Sequence, residues 1–524
     1  VDNGPATRSV MPEQKSDNRT RYVRPLPQNP DLEKHRKLAK ALVRDMVRGD
    51  PEARARVETL HPKPPARDAL TLADAQLVIA RGYGFASWAK LKHKIESLTQ
   101  TPKDQFVEAV VAGDVERVRT LLAGYSKLVA QINEPWFEFG RSAALAAAGD
   151  LPMLDLLLAH GADINARSVW DPGGFGILDG ATQGQAEGLL QRGARMDVWA
   201  AAHLGRLDDL RELIIADPSL VHAKGGDGKR PLHFASTVPI AAFLLEQGAE
   251  IDAKDDDHDS IPAQHLIGDH PEVTRFLVAQ GAVTDVLMAC ALGDVHLVRK
   301  HLDADPAAIR MRVSQAWLPM IDTAKNGGHM YQWTLGFYLS TFQIARKFEH
   351  PEVLALLRRR AEPRDLFLDA LWTGDFSAAD RLLSDHPGLV GSLDDEALNQ
   401  VADAARQNAT ATVEAMLARG FPVTAVSQHR ATPLHFAAFH GNPAMTRFIL
   451  ERGPDIEVKD RDFESPPLGW AIHGSMHGWP GIATDEYGAT VRLLLEAGAS
   501  CPEAALPTGN EEVDRELRAH LLAS

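Results

Sequence analysis

The chain has 524 residues, 44% of them apolar but only 6% aromatic and 24% charged, with a formal charge of −15. At roughly 150 residues per domain that length means three or four globular domains, unless the chain is built from repeats, and bulk supplied mainly by Ala and Leu favours many small helices in layers. No stretch of about 18 apolar residues exists to form a membrane-spanning helix, and two distant cysteines, Cys290 and Cys501, exclude a disulfide framework and a Cys-based zinc site, so a cytoplasmic protein is expected.

Residues 1–10 carry neither a basic n-region nor an apolar core and read as a cloning scar ahead of a native Met11; residues 1–30 as a whole read as a flexible arm. Asp31 then stands where it caps a helix in which Leu38, Leu42, Val43, Met46 and Val47 recur at three- and four-residue spacing, ended by Gly49. Three more helices, over about 51–60, 72–80 and from Ser87 with Trp88, Leu91 and Ile95 on one face, complete a helical module over 31–100. Residues 11–100 hold 18 Lys and Arg against 11 Asp and Glu, which leaves about −22 on residues 101–524. That excess repels a phosphate backbone, so no nucleic-acid partner is expected.

Beyond Pro102 a fixed period takes over. The clearest unit is Thr432-Pro433-Leu434-His435-Phe436-Ala437-Ala438-Phe439-His440-Gly441, followed by Phe448-Ile449-Leu450 and Gly453. It resembles the ankyrin repeat, whose signature is T-P-L-H-x-A-A, then G, an apolar helix and G-A-D. The resemblance implies helix-turn-helix units in which Pro opens the first helix where its missing N–H is harmless. In them the motif His ties the backbone to the neighbouring repeat, the Ala pair lets inner helices approach, and Gly ends a helix in the left-handed conformation. Each unit leaves an apolar face that only its neighbour buries.

Arg230-Pro231-Leu232-His233-Phe234-Ala235, Leu156-Leu157-Leu158 leading to Gly161-Ala162-Asp163, and Pro467-Leu468-Gly469-Trp470-Ala471 repeat the theme. A longer period is superimposed, with Gly113, Gly205, Gly293 and Gly374 separated by 92, 88 and 81 residues. The fold class expected is all-α: an ankyrin-repeat solenoid of about twelve helix-turn-helix repeats with short hairpin fingers over 101–501, preceded by the helical module and closed by a capping helix over 502–524. With its Ala73-to-Trp88 stretch, the chain is similar to a broad group of bacterial multi-ankyrin proteins with a small helical N-terminal module.

Four interruptions of the pattern carry tryptophan: one around Trp136, one at Trp170-Asp171-Pro172-Gly173-Gly174-Phe175, the largest over about 313–339 with Trp317, His329, Tyr331 and Trp333, and one in the last repeat with Trp470, His473 and Trp479. Such side chains, large and polar-tipped, line ligand pockets and anchor interfaces. In the family, partner-binding positions sit at the fingertips and just before the repeat glycine, here Phe439, His440, Trp470 and His473. The expected function is a scaffold whose concave face and inserts, through Trp136, Trp170, Trp317, Tyr331, Trp333, Trp479 and those positions, recognise a protein or peptide, a basic one being favoured by the acidic fingers.

The alternative is a binder of an apolar or aromatic small molecule, or a cofactor-independent hydrolase, lyase or isomerase. Its aromatic pocket would be roofed by 313–339, with His329, Asp322, Asp171 or His473 doing acid/base work. His473 and His477 are spaced as a metal site wants, but Gly474 and Gly478 are expected to break the helix, so no metal is expected. The run from Asp252 to Asp259 reads as turn chemistry rather than a calcium loop. The glycines around Phe175 follow no strand, and no P-loop, nucleophile elbow or H-E-x-x-H is present, so no cofactor is expected.

Overall fold

The computed structural model describes residues 21–523 apart from 28–29, 67–68, 100, 322–326, 480, 502–505 and 507. Most of the arm expected over 1–30, the candidate acid Asp322 and the start of the C-terminal segment lie outside the described residues. Within them every regular element is a helix, and extended backbone pairs only at the isolated bridges Phe137–Arg141 and Arg312–Ser340. Two compact units result, one running to Glu134 and including Pro152–Ala162, the other comprising Pro135–Leu151 and everything from Asp163.

In the first unit, helices Leu32–Arg48, Pro51–Leu60, Leu72–Gly82 and Trp88–Thr99 bury Leu42, Met46, Val57, Ile79, Leu91 and Ile95 in one core. Local chemistry sets their ends. The Asp50 carboxylate accepts from Ala53 N at the start of the second helix, and Thr71 and Asp74 form a reciprocal capping box at the start of the third. Helices Pro102–Val111 and Val115–Gly124 then pair, with Phe106 and Val118 fully buried.

In the second unit, nine helix pairs follow one another, from Val198–His203 with Leu207–Ala216 to Pro467–His477 with Tyr487–Glu496. The first unit adds the pair Pro102–Val111 with Val115–Gly124, and the short helices Ala143–Ala146, Leu151–Ala159 and Gln183–Leu190 stand where the sequence period places further repeats. The long-period glycines explain the ends of the inner helices: Gly113, Gly205, Gly293 and Gly374 all adopt φ between 68° and 74°, the left-handed region that a side chain resists. The motif histidines also behave as the repeat demands. His435 Nδ1 accepts from Thr432 N at 3.1 Å while Nε2 donates to Ser465 O of the next repeat at 3.1 Å. His233 joins Arg230 N to Ser260 O in the same way.

From Val198 onward the apolar interior of this unit includes two clusters, one spanning Val198 to Leu357 and the other Phe367 to Leu517. The seam between them is ionic. Arg310 reaches Asp365 at 3.3 Å, Arg346 reaches Asp369 at 2.6 Å, and Arg312 reaches Asp403 at 2.9 Å, with both members of the last pair buried. The 313–339 insert leaves and rejoins the repeats at this seam, its ends zipped by Val313 N to Leu339 O and Tyr338 N to Val313 O, both 3.0 Å. Helix Glu511–Ala523 closes the array, burying Val513 and Leu517 against Tyr487–Glu496.

Candidate functional site

Among the cavities of the second unit, two are walled by aromatic rings from its fingers and inserts. The first, of about 940 Å³, has aromatic walls contributed by Phe139, Trp170, Phe175, Phe234 and Trp333. Three inserts converge here because their loops are pinned to one another: Val169 N donates to Gly140 O at 2.8 Å, and Phe139 meets Trp170 edge to face at 5.2 Å. Glycine makes that approach possible. A Cβ on Gly173 would lie 2.0 Å from Gly225 O, and one on Gly226 would lie 2.2 Å from the Phe175 ring, so the glycine cluster serves backbone packing.

At the cavity wall, Asp227 holds the left-handed φ of 59° and turns its carboxylate to three groups: Trp170 Nε1 at 3.1 Å, Lys229 Nζ at 3.0 Å and His258 Nε2 at 3.8 Å. His258 Nδ1 donates to Gly328 O of the large insert at 2.8 Å. Burial would lower the His258 pKa, but the Asp227 carboxylate and the Gly328 carbonyl outweigh it and hold the value above the ordinary one. Asp179, buried on the same wall, is pushed up to about 6 by loss of hydration despite Arg167 at 3.0 Å. The rim is left open to solvent, with Trp333 62% and Phe139 53% exposed.

The second cavity, of about 420 Å³, lies among Phe436, Phe439, Phe463, Trp470, Trp479 and His473. Phe439 sits at the hub, 5.1 Å from the Trp479 centroid and 5.9 Å from that of Trp470. Phe463 is 64% exposed at its edge. Between the cavities, the Arg406 guanidinium stacks on Phe337 of the insert at 4.6 Å and on Trp479 at 4.9 Å.

Several expected site residues take other roles. Tyr331 is fully buried with its hydroxyl donating to Asp285 at 2.8 Å, so it is core. His440 is fully buried, its Nε2 donating to Arg406 O. Trp470 is a wall, its indole N–H spent on Asp460 at 2.9 Å. Trp317 donates to Glu396 in a separate crevice of about 80 Å³, and Trp136 lines neither cavity, its place being taken by Phe139.

The three members of the acid/base set among the described residues do not converge either. His329 is buried behind Tyr331 N and pushed down to about 4 by burial, while Asp171 and His473 belong to different cavities. Helix Pro467–His477 continues through Gly474, where a Cβ would strike Phe439 O at 2.2 Å: that glycine serves helix contact and breaks nothing. His473 and His477 do stack at 4.6 Å, yet no group of three or more potential ligands that could hold a metal occurs among the described residues.

Sequence reasoning missed Asp227 and Asp179, and it read His258, within the run from Asp252 to Asp259, as part of turn chemistry. The signal for Asp227 was Gly225-Gly226-Asp227-Gly228 just ahead of a repeat motif.

The family model for the ankyrin repeat matches residues 141–169 and 429–461, one segment at each cavity. The chain carries ankyrin repeats. These repeats are scaffolds for protein–protein contact. The chain is also similar to the crystal structure of the human ASB11 ankyrin repeat domain, at 16% identity over 58% of this chain and 99% of that one, with a TM-score of 0.22. No helix among the described residues is long and apolar enough to cross a membrane.

Proposed function

We propose that the second unit binds a protein or peptide partner through the inner face that carries the two cavities, with Phe139, Trp170 and Trp333 as anchors and the acidic fingers steering a basic partner. The observation that carries this reading is the exposure of Trp333 and Phe139 at the rim of the first cavity, when most other aromatic rings of the inserts have found partners inside. Large aromatic groups at the mouth of a desolvated pocket are the residues that dominate measured interface energies. The test is capture from lysate of the source cell with the intact chain and with a Phe139→Ala, Trp333→Ala variant. A partner retained only by the intact chain supports the scaffold and its site; equal retention overturns the anchoring role.

A second reading rests on Asp179 and His258. Both line the first cavity and both are shifted toward their protonated forms, which suits acid/base chemistry on a small molecule. A small molecule co-eluting without any protein, and lost on His258→Ala, would favour it.

A further inference from the structure

Aromatic and guanidinium contacts join the two cavities into one track. From Trp333 the ring contacts run to Phe337 at 5.3 Å, to the Arg406 guanidinium at 4.6 Å, to Trp479 at 4.9 Å and to Phe439 at 5.1 Å. Those four steps bound the Trp333–Phe439 separation at about 20 Å. An extended chain advances roughly 3.3 Å per residue, so about six residues or fewer cover the distance.

The two ends of the track differ in chemistry. The first cavity sets Asp171, Asp179, Asp227 and Asp257 against Arg141, Lys229 and His258. Asp171 is exposed and without an ion-pair or hydrogen-bond partner among the described residues. The chain itself shows what this environment holds: the Lys229 ammonium lies 5.4 Å from the Phe234 centroid and 6.0 Å from that of Phe175, with Asp227 at 3.0 Å. Aromatic faces backed by a carboxylate make a site for an organic cation. The second cavity is walled by five aromatic rings, with imidazoles at its edge and no carboxylate in its lining, which suits an apolar or aromatic side chain.

Resting on the scaffold reading, we infer that the partner presents one extended segment in which a lysine or arginine enters the first cavity and an aromatic or large aliphatic residue enters the second, the two separated by about three to six residues. The intervening residues lie along Phe337 and Arg406, where a partner backbone carbonyl can accept from the guanidinium.

The test is selection of a displayed library of random 15-residue peptides on the full chain, followed by anisotropy titration of the enriched peptides. Enriched sequences should pair a cationic residue with an aromatic or aliphatic one at that spacing. Asp171→Asn should weaken them two- to fivefold, as for an exposed ion pair, and Phe463→Ala by roughly tenfold; both side chains are exposed, so the fold is spared. Peptides that bind and compete with the natural partner but show no such pairing, or that ignore both substitutions, overturn the bipartite segment and leave the scaffold standing. A library that yields no binder overturns the bipartite segment; if the Phe139→Ala, Trp333→Ala variant also captures its partner normally, the anchoring role falls with it.

Discussion

Asp403→Ala probes how the large insert is held. The Arg312 and Asp403 side chains are 5% and 4% exposed, bonded at 2.9 Å, and 91 residues apart in the chain. Removing the carboxylate leaves a buried guanidinium whose compensation is the Tyr338 carbonyl, and orphaning one partner of such a pair costs about 3–5 kcal/mol. The cost falls on helix Gln400–Arg406 and the base of the insert, and it should appear as local opening before global unfolding. Hydrogen exchange resolved to residues 312–317, 336–340 and 400–406 should accelerate roughly a hundredfold or more, since each 1.4 kcal/mol is about tenfold, while exchange in Leu32–Arg48 stays as it was. Replacing both partners, Arg312→Met with Asp403→Leu, should recover most of the protection, because an apolar pair of similar volume carries no desolvation penalty. Exchange within tenfold of the parent in Asp403→Ala, or a double variant as open as the single one, would refute the reasoning.

Asp179 has a folded value of about 6 against an unfolded value near 3.8, so between those limits the folded state holds more protons and stability falls as pH rises. Asp179→Asn should remove that slope and add up to about 3 kcal/mol at pH 7, read as the difference in denaturant midpoint between variant and parent from pH 4 to 7. His233 and His329 act in the opposite sense. Burial pushes their folded values down to about 3 and about 4, beneath the unfolded 6.5, so their contribution is present above 6.5 and is lost as pH falls toward 4; exchange at 255–260 and 327–331 should rise over that interval. Gly173→Ala, which drives a Cβ into Gly225 O, should separate the two loops and raise the accessibility of Trp170 to an aqueous fluorescence quencher, whereas Gly161→Ala, with open space around it, should cost only its left-handed φ.

The repeat frame was legible because its determinants are largely local: Thr432 and Pro433 open a helix and Gly441 follows its end within a few residues of where they stand, and His435 adds to its local bond with Thr432 N one reach to Ser465 O of the next repeat. Insert positions were legible too, as breaks in a period. What could not be read was which insert side chains turn inward. Tyr331 and Trp333 are two residues apart in one short helical turn, yet one donates to Asp285 in the core and the other lies open at a rim. The difference is set by Asp285, which lies 46 residues before Tyr331. The acidic finger posed the same difficulty. Asp255 does serve turn chemistry, accepting from His258 N and Ser260 N, but the adjacent Asp257 and His258 face a cavity that exists only once the neighbouring finger and the insert have arrived.

The ionic seam bears on how the chain finds itself. Tandem repeats are near copies, and apolar faces of Ala and Leu accept one copy almost as readily as another, so arrays of this kind are prone to pairing out of order or with a second molecule during synthesis. Guanidinium and carboxylate groups at fixed positions do not tolerate such substitution: Arg310 is answered by Asp365 and Glu362, Arg312 by Asp403, and Arg346 by Asp369, which it shares with Arg358. The seam is a keyed joint midway along the second unit, and a block of repeats arriving in the wrong order would bury unanswered charge there and be rejected.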